Sequence, residues 1–184
     1  MAHAYSHLGN HISRFIPAHP IAGGEQSGAA AARADLYQGK KVVLTPLPEN
    51  SAEAVAHVKQ AWQLCGASVS ELTAQQHDEV FAAVSHLPHL LSFALVHDLA
   101  QRDNRDLLLS FAASGFRDFT RIAASSPEMW RDISLANREA LMRELLQYAE
   151  ELHVLFQALE NNDAKKLEEI FQRAHLLRSS WTPQ

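Results

Sequence analysis

The sequence is short of cysteine, of glycine and of positive charge, and each shortage excludes something. A single cysteine, Cys65, leaves no intrachain disulfide and no thiolate set for a zinc site. Seven glycines are spread so thinly that no Gly-x-Gly-x-x-Gly occurs anywhere; the chain offers only Gly23-Gly24 and the isolated Gly28 in that region. These residues therefore lack the tight turn that seats a dinucleotide pyrophosphate at a helix N-terminus. The formal net charge is -5, a poor match to nonspecific nucleic-acid binding, which is driven by neutralising phosphates. No uninterrupted apolar run reaches the ~18 residues of a bilayer-spanning helix, and the opening thirteen residues have no apolar centre of the signal-peptide kind. These absences give the expectation of a soluble, cytoplasmic protein with neither nucleic acid nor membrane as partner.

What is present is ample apolar material. Hydrophobic residues make up 47% of 184 positions, enough for a packed core. Up to about residue 72 the order of signals is α/β. Residues 2–12 have the spacing of a helix end, with Leu8 and Ile12 four apart, and residues 14–17 read as extended. Ala29 to Leu36 reads as a short helix. Lys41-Val42-Val43-Leu44-Thr45 has the β-branched run of a buried strand, closed by Pro46 and Pro48. Ser51 can cap a helix that carries Val55, Val58 and Trp62 on one face and stops at Gly66. Residues 67–72 alternate like a strand. After Thr73 strand signals cease. Helical patterns cover 73–87, interrupted by Pro88, then 90–102, 106–113 with a break at Gly115, a start at Pro127, a long amphipathic stretch 135–159, a turn at Asn161-Asn162-Asp163, and 164–179. The division at 72/73 predicts an α/β piece followed by an all-α piece. The α/β piece opens inside a helix and has few strands for a parallel sheet, which needs both faces covered. It reads as cut at its N-terminus.

Eleven histidines invite a search for acid–base or metal chemistry. In His19-Pro20-Ile21-Ala22-Gly23-Gly24-Glu25, a histidine at a strand end is followed by residues that turn the backbone closely, which suits an acid–base group beside a ligand; a loop histidine without a role fits the same letters. In Ser85-His86-Leu87-Pro88-His89, the two histidines share one side of a helix. Zinc would need a third ligand, and no His-Glu-x-x-His is present, so a substrate contact or a satisfied core histidine remain. A third cluster runs Ser114-Gly115-Phe116-Arg117-Asp118-Phe119-Thr120-Arg121 and on through Pro127-Glu128-Met129-Trp130-Arg131-Asp132. Its arginines could grip carboxylates through paired hydrogen bonds. Equally, Asp118 and Arg121, three apart, could form a plain surface ion pair beside a core tryptophan.

Taken together, the clusters resemble the prephenate/arogenate dehydrogenases of tyrosine biosynthesis. The resemblance rests on His-Pro-Ile-Ala-Gly at 19–23, Leu-Thr-Pro at 44–46, and His77-Asp78 leading into Ser-His-Leu-Pro-His at 85–89. It also rests on Gly-Phe-Arg-Asp-Phe-Thr-Arg-Ile at 115–122 and Met-Trp-Arg-Asp-Ile at 129–133. Order and spacing match over nearly the whole chain. The resemblance implies that residues 1–72 are the C-terminal part of a Rossmann-like dinucleotide-binding domain, without its Gly-rich loop, and that 73–184 form a helical substrate-binding and dimerisation domain.

The activity so implied is NAD- or NADP-dependent oxidative decarboxylation of prephenate or arogenate to 4-hydroxyphenylpyruvate or tyrosine. The chain alone is expected to be inactive for want of the pyrophosphate turn, so its cofactor-binding residues are unassigned. By the same resemblance His19 is the catalytic proton acceptor. Ser85, His89, Arg121, Trp130, Glu25 and Gly24 contact substrate or shape its site, with Arg121 on a carboxylate. Asp118 joins Glu25 and Arg121 in a charged network, and His86 supports the packing. A homodimer is implied, with tyrosine as a candidate inhibitor and no metal. The other reading left open is a non-catalytic helical dimer that binds an aromatic product as a regulatory module.

Overall fold

A computed structural model describes residues 2–23 and 28–182 and divides the chain into two compact units, one running to Val80 and one from Phe81 onward. The division lies inside a continuous helical run, Ala74–Ala100.

The first unit begins with α1 (Ala2–Leu8), which tightens into a 3₁₀ turn over Gly9–Arg14. The extended segment expected at 14–17 starts later. The Asn50 side-chain amide donates to the carbonyls of Ser13 and Phe15, at 3.0 and 3.1 Å, and pins the chain there. Three short strands follow: β1 (Ala18–Pro20), β2 (Lys41–Leu44) and β3 (Ser68–Glu71), in spatial order β1-β2-β3. β2 and β3 are parallel and joined through α2 (Ala52–Leu64), a βαβ unit. β1 runs antiparallel to β2, with His19 opposite Val43, so the sheet is mixed. His19 lies in the middle of β1 rather than at a strand end. Pro20 is tolerated because, among the described strands, β1 is an edge, where a missing N–H costs no ladder bond.

Ser51 caps α2 as its sequence suggests, its hydroxyl accepting from the Ala54 N–H at 3.2 Å. Gly66, at φ +83°, ends it in the left-handed conformation that side chains resist. Val42, Leu44 and Ala67 form the core, with Tyr37, Val55, Val58, Trp62 and Val69 packed on it. The helix expected over Ala29–Leu36 shrinks to a 3₁₀ turn at Ala29–Ala31. So short a run does not repay helix nucleation, and the Arg33–Asp35 pair folds the next turn instead, at 2.8 and 3.0 Å.

The helical run starts as α3 (Ala74–Phe81) and passes through a wider π turn at Ala82–His86 into α4 (Leu87–Ala100). Pro88 was expected to interrupt the helix. The π turn just before it absorbs the lost N–H and the ring's bulk, so the helix continues. An 18-residue stretch of this run averages a hydropathy of 1.4, long and apolar enough by composition to cross a bilayer. Uninterrupted apolar letters missed it because Ser85, His86, Pro88 and His89 break the letters without lowering the average enough. In the second unit α4 is central: α5 (Arg105–Ser110), α6 (Ser114–Thr120), a 3₁₀ turn at Arg121–Ala124 and the long α8 (Arg138–Glu160) all contact it.

Gly115, expected as a break, lies inside α6. The break falls instead at Ala113, whose extended backbone precedes the helix. α7 (Pro127–Ala136) starts at Pro127, and Ser126 caps it. Leu135 belongs to α7, not to the long helix, because Asn137 separates the two. Asn162, at φ +50°, makes the turn into α9 (Ala164–Ser180), which Asp163 caps.

Candidate active site

In the first unit, β1 holds His19 by strand register. Ile21 N–H donates to the Lys41 carbonyl at 2.8 Å and Thr45 N–H to the Pro17 carbonyl at 3.0 Å, fixing both ends of the segment. Thr73 caps α3, its hydroxyl accepting from the Gln76 N–H at 3.1 Å, and that cap fixes the turn bearing His77 and Asp78. The rings of His19 and His77 meet with Nδ1 of His19 2.8 Å from Nε2 of His77. Nδ1 of His77 lies 2.9 Å from a carboxylate oxygen of Asp78. Pro17, Ala18, His19, Thr45, Ala74, His77 and Asp78 line a cavity of about 270 Å³. Partial shielding of the His19 ring from water, and then the charge His77 can carry, hold the His19 pKa below the usual imidazole value. An imidazole of this kind is neutral at physiological pH and ready to accept a proton.

The second unit gathers another group around Trp130. The His89 ring stacks on the indole, with centroids 3.6 Å apart and planes 19° apart, and His86 meets it edge-on at 6.2 Å. The shared side expected for the two histidines is therefore present, and Trp130 is what they share. The π turn aims the Ser85 carbonyl at His89, which donates to it from Nδ1 at 2.9 Å. Asn137 lies 3.2 Å from Nδ1 of His86. Burial pushes the His89 pKa down; the Ser85 hydrogen bond opposes this, and the Arg121 guanidinium reinforces it. Arg121 thus acts electrostatically on His89 from the 3₁₀ turn after α6. The Trp130 indole N–H is buried without a hydrogen-bond partner. Beside the stack, Leu90, Phe93, Pro127, Trp130, Arg131 and Ser134 line an apolar hollow of about 220 Å³. A flat aromatic platform, a neutral imidazole and a guanidinium can together take an aromatic ligand bearing a carboxylate.

The candidate residues named from the sequence therefore fall into two groups. His19 is in the first unit. Ser85, His86, His89, Arg121 and Trp130 are brought together in the second, where Ser85 contributes its backbone carbonyl. Gly24 and Glu25 lie outside the described residues. Asp118 departs from expectation: it pairs with its neighbour Arg117 at 3.2 Å, both side chains well exposed, and not with Arg121. The three-residue spacing fails because α6 ends at Thr120 and the next turn is 3₁₀, so the two residues do not share an α-helical face. Sequence reasoning misses what His77, Asp78 and Asn137 do. The letters His77-Asp78 enter only as part of a motif, and no local spacing reveals a contact across 58 positions.

Comparison with known proteins fits this geometry. Residues 2–71 match the nucleotide-binding domain of prephenate dehydrogenase, and residues 73–173 match its dimerization domain. A cyclohexadienyl dehydrogenase from Zymomonas mobilis is 36% identical over 93% of this chain and 58% of its own length. A prephenate dehydrogenase from Bacillus subtilis is 36% identical over 88% of this chain and 44% of its own. The chain thus spans about half the length of the curated relatives it matches. Among solved structures, the prephenate dehydrogenase of A. aeolicus in complex with hydroxyphenyl propionate and NAD+ superimposes with a TM-score of 0.88 at 37% identity. That match covers 96% of this chain and 62% of that one. The chain belongs to the prephenate dehydrogenase family.

Proposed function

We propose that this chain takes part in the NAD(P)⁺-dependent oxidative decarboxylation of prephenate or arogenate, with His19 as the proton acceptor. The observation that carries the reading is the placement of His19, which lines a cavity with its Nδ1 2.8 Å from Nε2 of His77, while burial holds its pKa below the usual imidazole value. A charged imidazole could not serve as a base. Bound NAD(P)⁺ supplies the acceptor for the two electrons leaving the ring carbon that carries the hydroxyl. These 184 residues furnish no Gly-rich pyrophosphate turn, so no step is assigned to protein contacts with the cofactor.

The work left to the chain is orientation and proton handling. As the ring carboxylate departs as CO₂, its bonding pair enters the ring and drives aromatisation. His19 takes the hydroxyl proton as the carbon–oxygen bond gains double-bond character, and returns it as the phenol forms. In the second unit, Arg121 holds a substrate carboxylate, while His89 and Trp130, braced by Ser85 and His86, contact the substrate. Gly24, Glu25 and Asp118 are assigned to the approaches of the substrate by family pattern alone. Tyrosine shares the hydroxyphenyl ring and a carboxylate with this chemistry and is proposed as an inhibitor.

The second unit is proposed to pair with a second copy. Met142, Leu146, Leu152, Phe156 and Leu159 form an exposed apolar stripe along one face of α8, and a contiguous patch of this kind marks an interface. Dimerisation is also what the matched domain is named for. The apolar helical run is then read as the centre of a dimerising bundle in a cytoplasmic enzyme rather than as a bilayer span.

The test is His19→Asn in an active enzyme that contains these residues. Its kcat should fall by roughly 10²–10⁴-fold, the range for a positioned general base, with KM little changed. An unchanged kcat with a raised KM would make His19 a binding residue. Ligand binding without any turnover in the parent enzyme would favour a regulatory module.

A further inference from the structure

His19 and His77 form a chain that ends on a carboxylate, and the hydrogen-bonding rules of its members leave little freedom. An ionised carboxylate only accepts, so the 2.9 Å contact to Asp78 requires the proton on Nδ1 of His77. A neutral His77 then carries its lone pair on Nε2. The 2.8 Å contact from that atom to His19 requires His19 to donate from Nδ1. His19 is left with its lone pair on Nε2, the atom that must receive the substrate proton. We propose that His77 and Asp78 are positioning residues that fix His19 as the Nδ1–H tautomer, so that Nε2 is its basic nitrogen. The inference rests on the reading of His19 as proton acceptor for its purpose, though not for its geometry.

Three features support a built arrangement over a chance contact. The two rings are 5.1 Å apart between centroids and tilted by 59°, which lets the nitrogens meet edge to edge. Each ring sits on a separately fixed element, His19 on β1 by strand pairing with β2, His77 on α3 by the Thr73 cap. His77 is also better covered than Asp78, its side chain 20% exposed against 53%. The middle member is thus the more enclosed of the two, and the carboxylate end of the chain faces solvent. When Nε2 of His19 gains a proton, Nδ1 keeps its own and still donates to His77. While His77 is neutral, its Nε2 lone pair accepts from that imidazolium N–H, and no second proton needs to move.

The test is ¹⁵N NMR of the imidazoles in the 184-residue chain, at a pH where His19 is neutral, for the unaltered protein, His77→Phe and Asp78→Asn. The unaltered chain should show Nδ1 of His19 in the protonated, pyrrole-like range and Nε2 in the pyridine-like range. Asp78→Asn should mix the tautomers, and His77→Phe should remove the preference for Nδ1–H. A merely structural pair would leave the tautomer signature unmoved. Nε2–H on His19 in the unaltered chain overturns the proposal, and that spectrum can be recorded even if neither variant folds. Unchanged tautomer populations in both folded variants overturn it as well. Failure of the functional reading shows separately, as undiminished turnover in His19→Asn, and does not alter the tautomer spectrum.

Discussion

The two units solve the problem of burial differently. In the first, three residues of one short strand are nearly enough: Val42, Val43 and Leu44 are at most 3% exposed, and α2 packs over Val42 and Leu44. In the second, a helix of 23 residues buries only Ala140, Leu141 and Ala158, while Leu146, Phe156 and Leu159 stay more than half exposed. A parallel strand is covered on both faces within its own chain; an amphipathic helix needs something against its apolar stripe. The contrast carries over to the site residues. Strand register and a helix cap hold His19 and His77 in the first unit. Helix turns hold the ring and guanidinium of the second. The first unit is therefore the place where a change should damage chemistry or folding, and the second the place where it should damage grip or assembly.

Stability gives the largest test of that contrast. Leu44→Ala, at a fully buried site, should cost about 2–5 kcal/mol, read as a drop in the urea midpoint. Leu146→Ala, 65% exposed, should cost well under that in protein dilute enough to be monomeric. Equal losses at both sites would erase the distinction between the units. Assembly comes next. Phe156→Lys places a charge in the exposed stripe of α8 and should turn a dimer into a monomer at micromolar concentration in sedimentation, with helix content kept. A dimer that survives the change removes α8 from the interface.

Arg121→Lys keeps the charge and loses the two-pronged grip. In an active enzyme it should raise KM by roughly tens of fold, about the worth of a good charge-assisted contact, with melting nearly unchanged. A smaller effect is expected from pH. The His19 and His89 pKa values lie below the free value, so the unfolded chain takes up protons first as pH falls. Stability should therefore be full above the unfolded value of about 6.5 and decline as pH drops from there towards the folded values. His19→Asn and His89→Asn should each flatten that decline; steeper loss in the variants would reverse the sign. The smallest effect is expected at Asp118. Its exposed pair with Arg117 should be worth about 0–1 kcal/mol, and Asp118→Asn should leave melting almost unmoved.

How much of this could be read from the letters depends on range. Ser51, Gly66, Pro127 and the Asn162 turn announce themselves because caps and turns are set by a few neighbouring residues. Val55, Val58 and Trp62 announce a face for the same reason. Pro88 and Gly115 misled because a π turn and a neighbouring extended residue absorbed what each usually does to a helix. The antiparallel placement of β1 is set by pairing with a strand more than twenty residues away, which three residues cannot encode alone. Among the candidate site residues, His19, His89, Arg121 and Trp130 stand in motifs that the letters show. That His89 lies flat on Trp130, that Asn137 meets His86 and that His77 links His19 to Asp78 are tertiary facts.

The most direct measurement is steady-state kinetics across pH for His19→Asn and Arg121→Lys in one active enzyme containing these residues. The account predicts a split: kcat collapses and the acidic limb of its pH profile disappears in the first, while KM rises with that limb intact in the second. A raised KM with normal kcat for His19→Asn, or a lost acidic limb for Arg121→Lys, would contradict it.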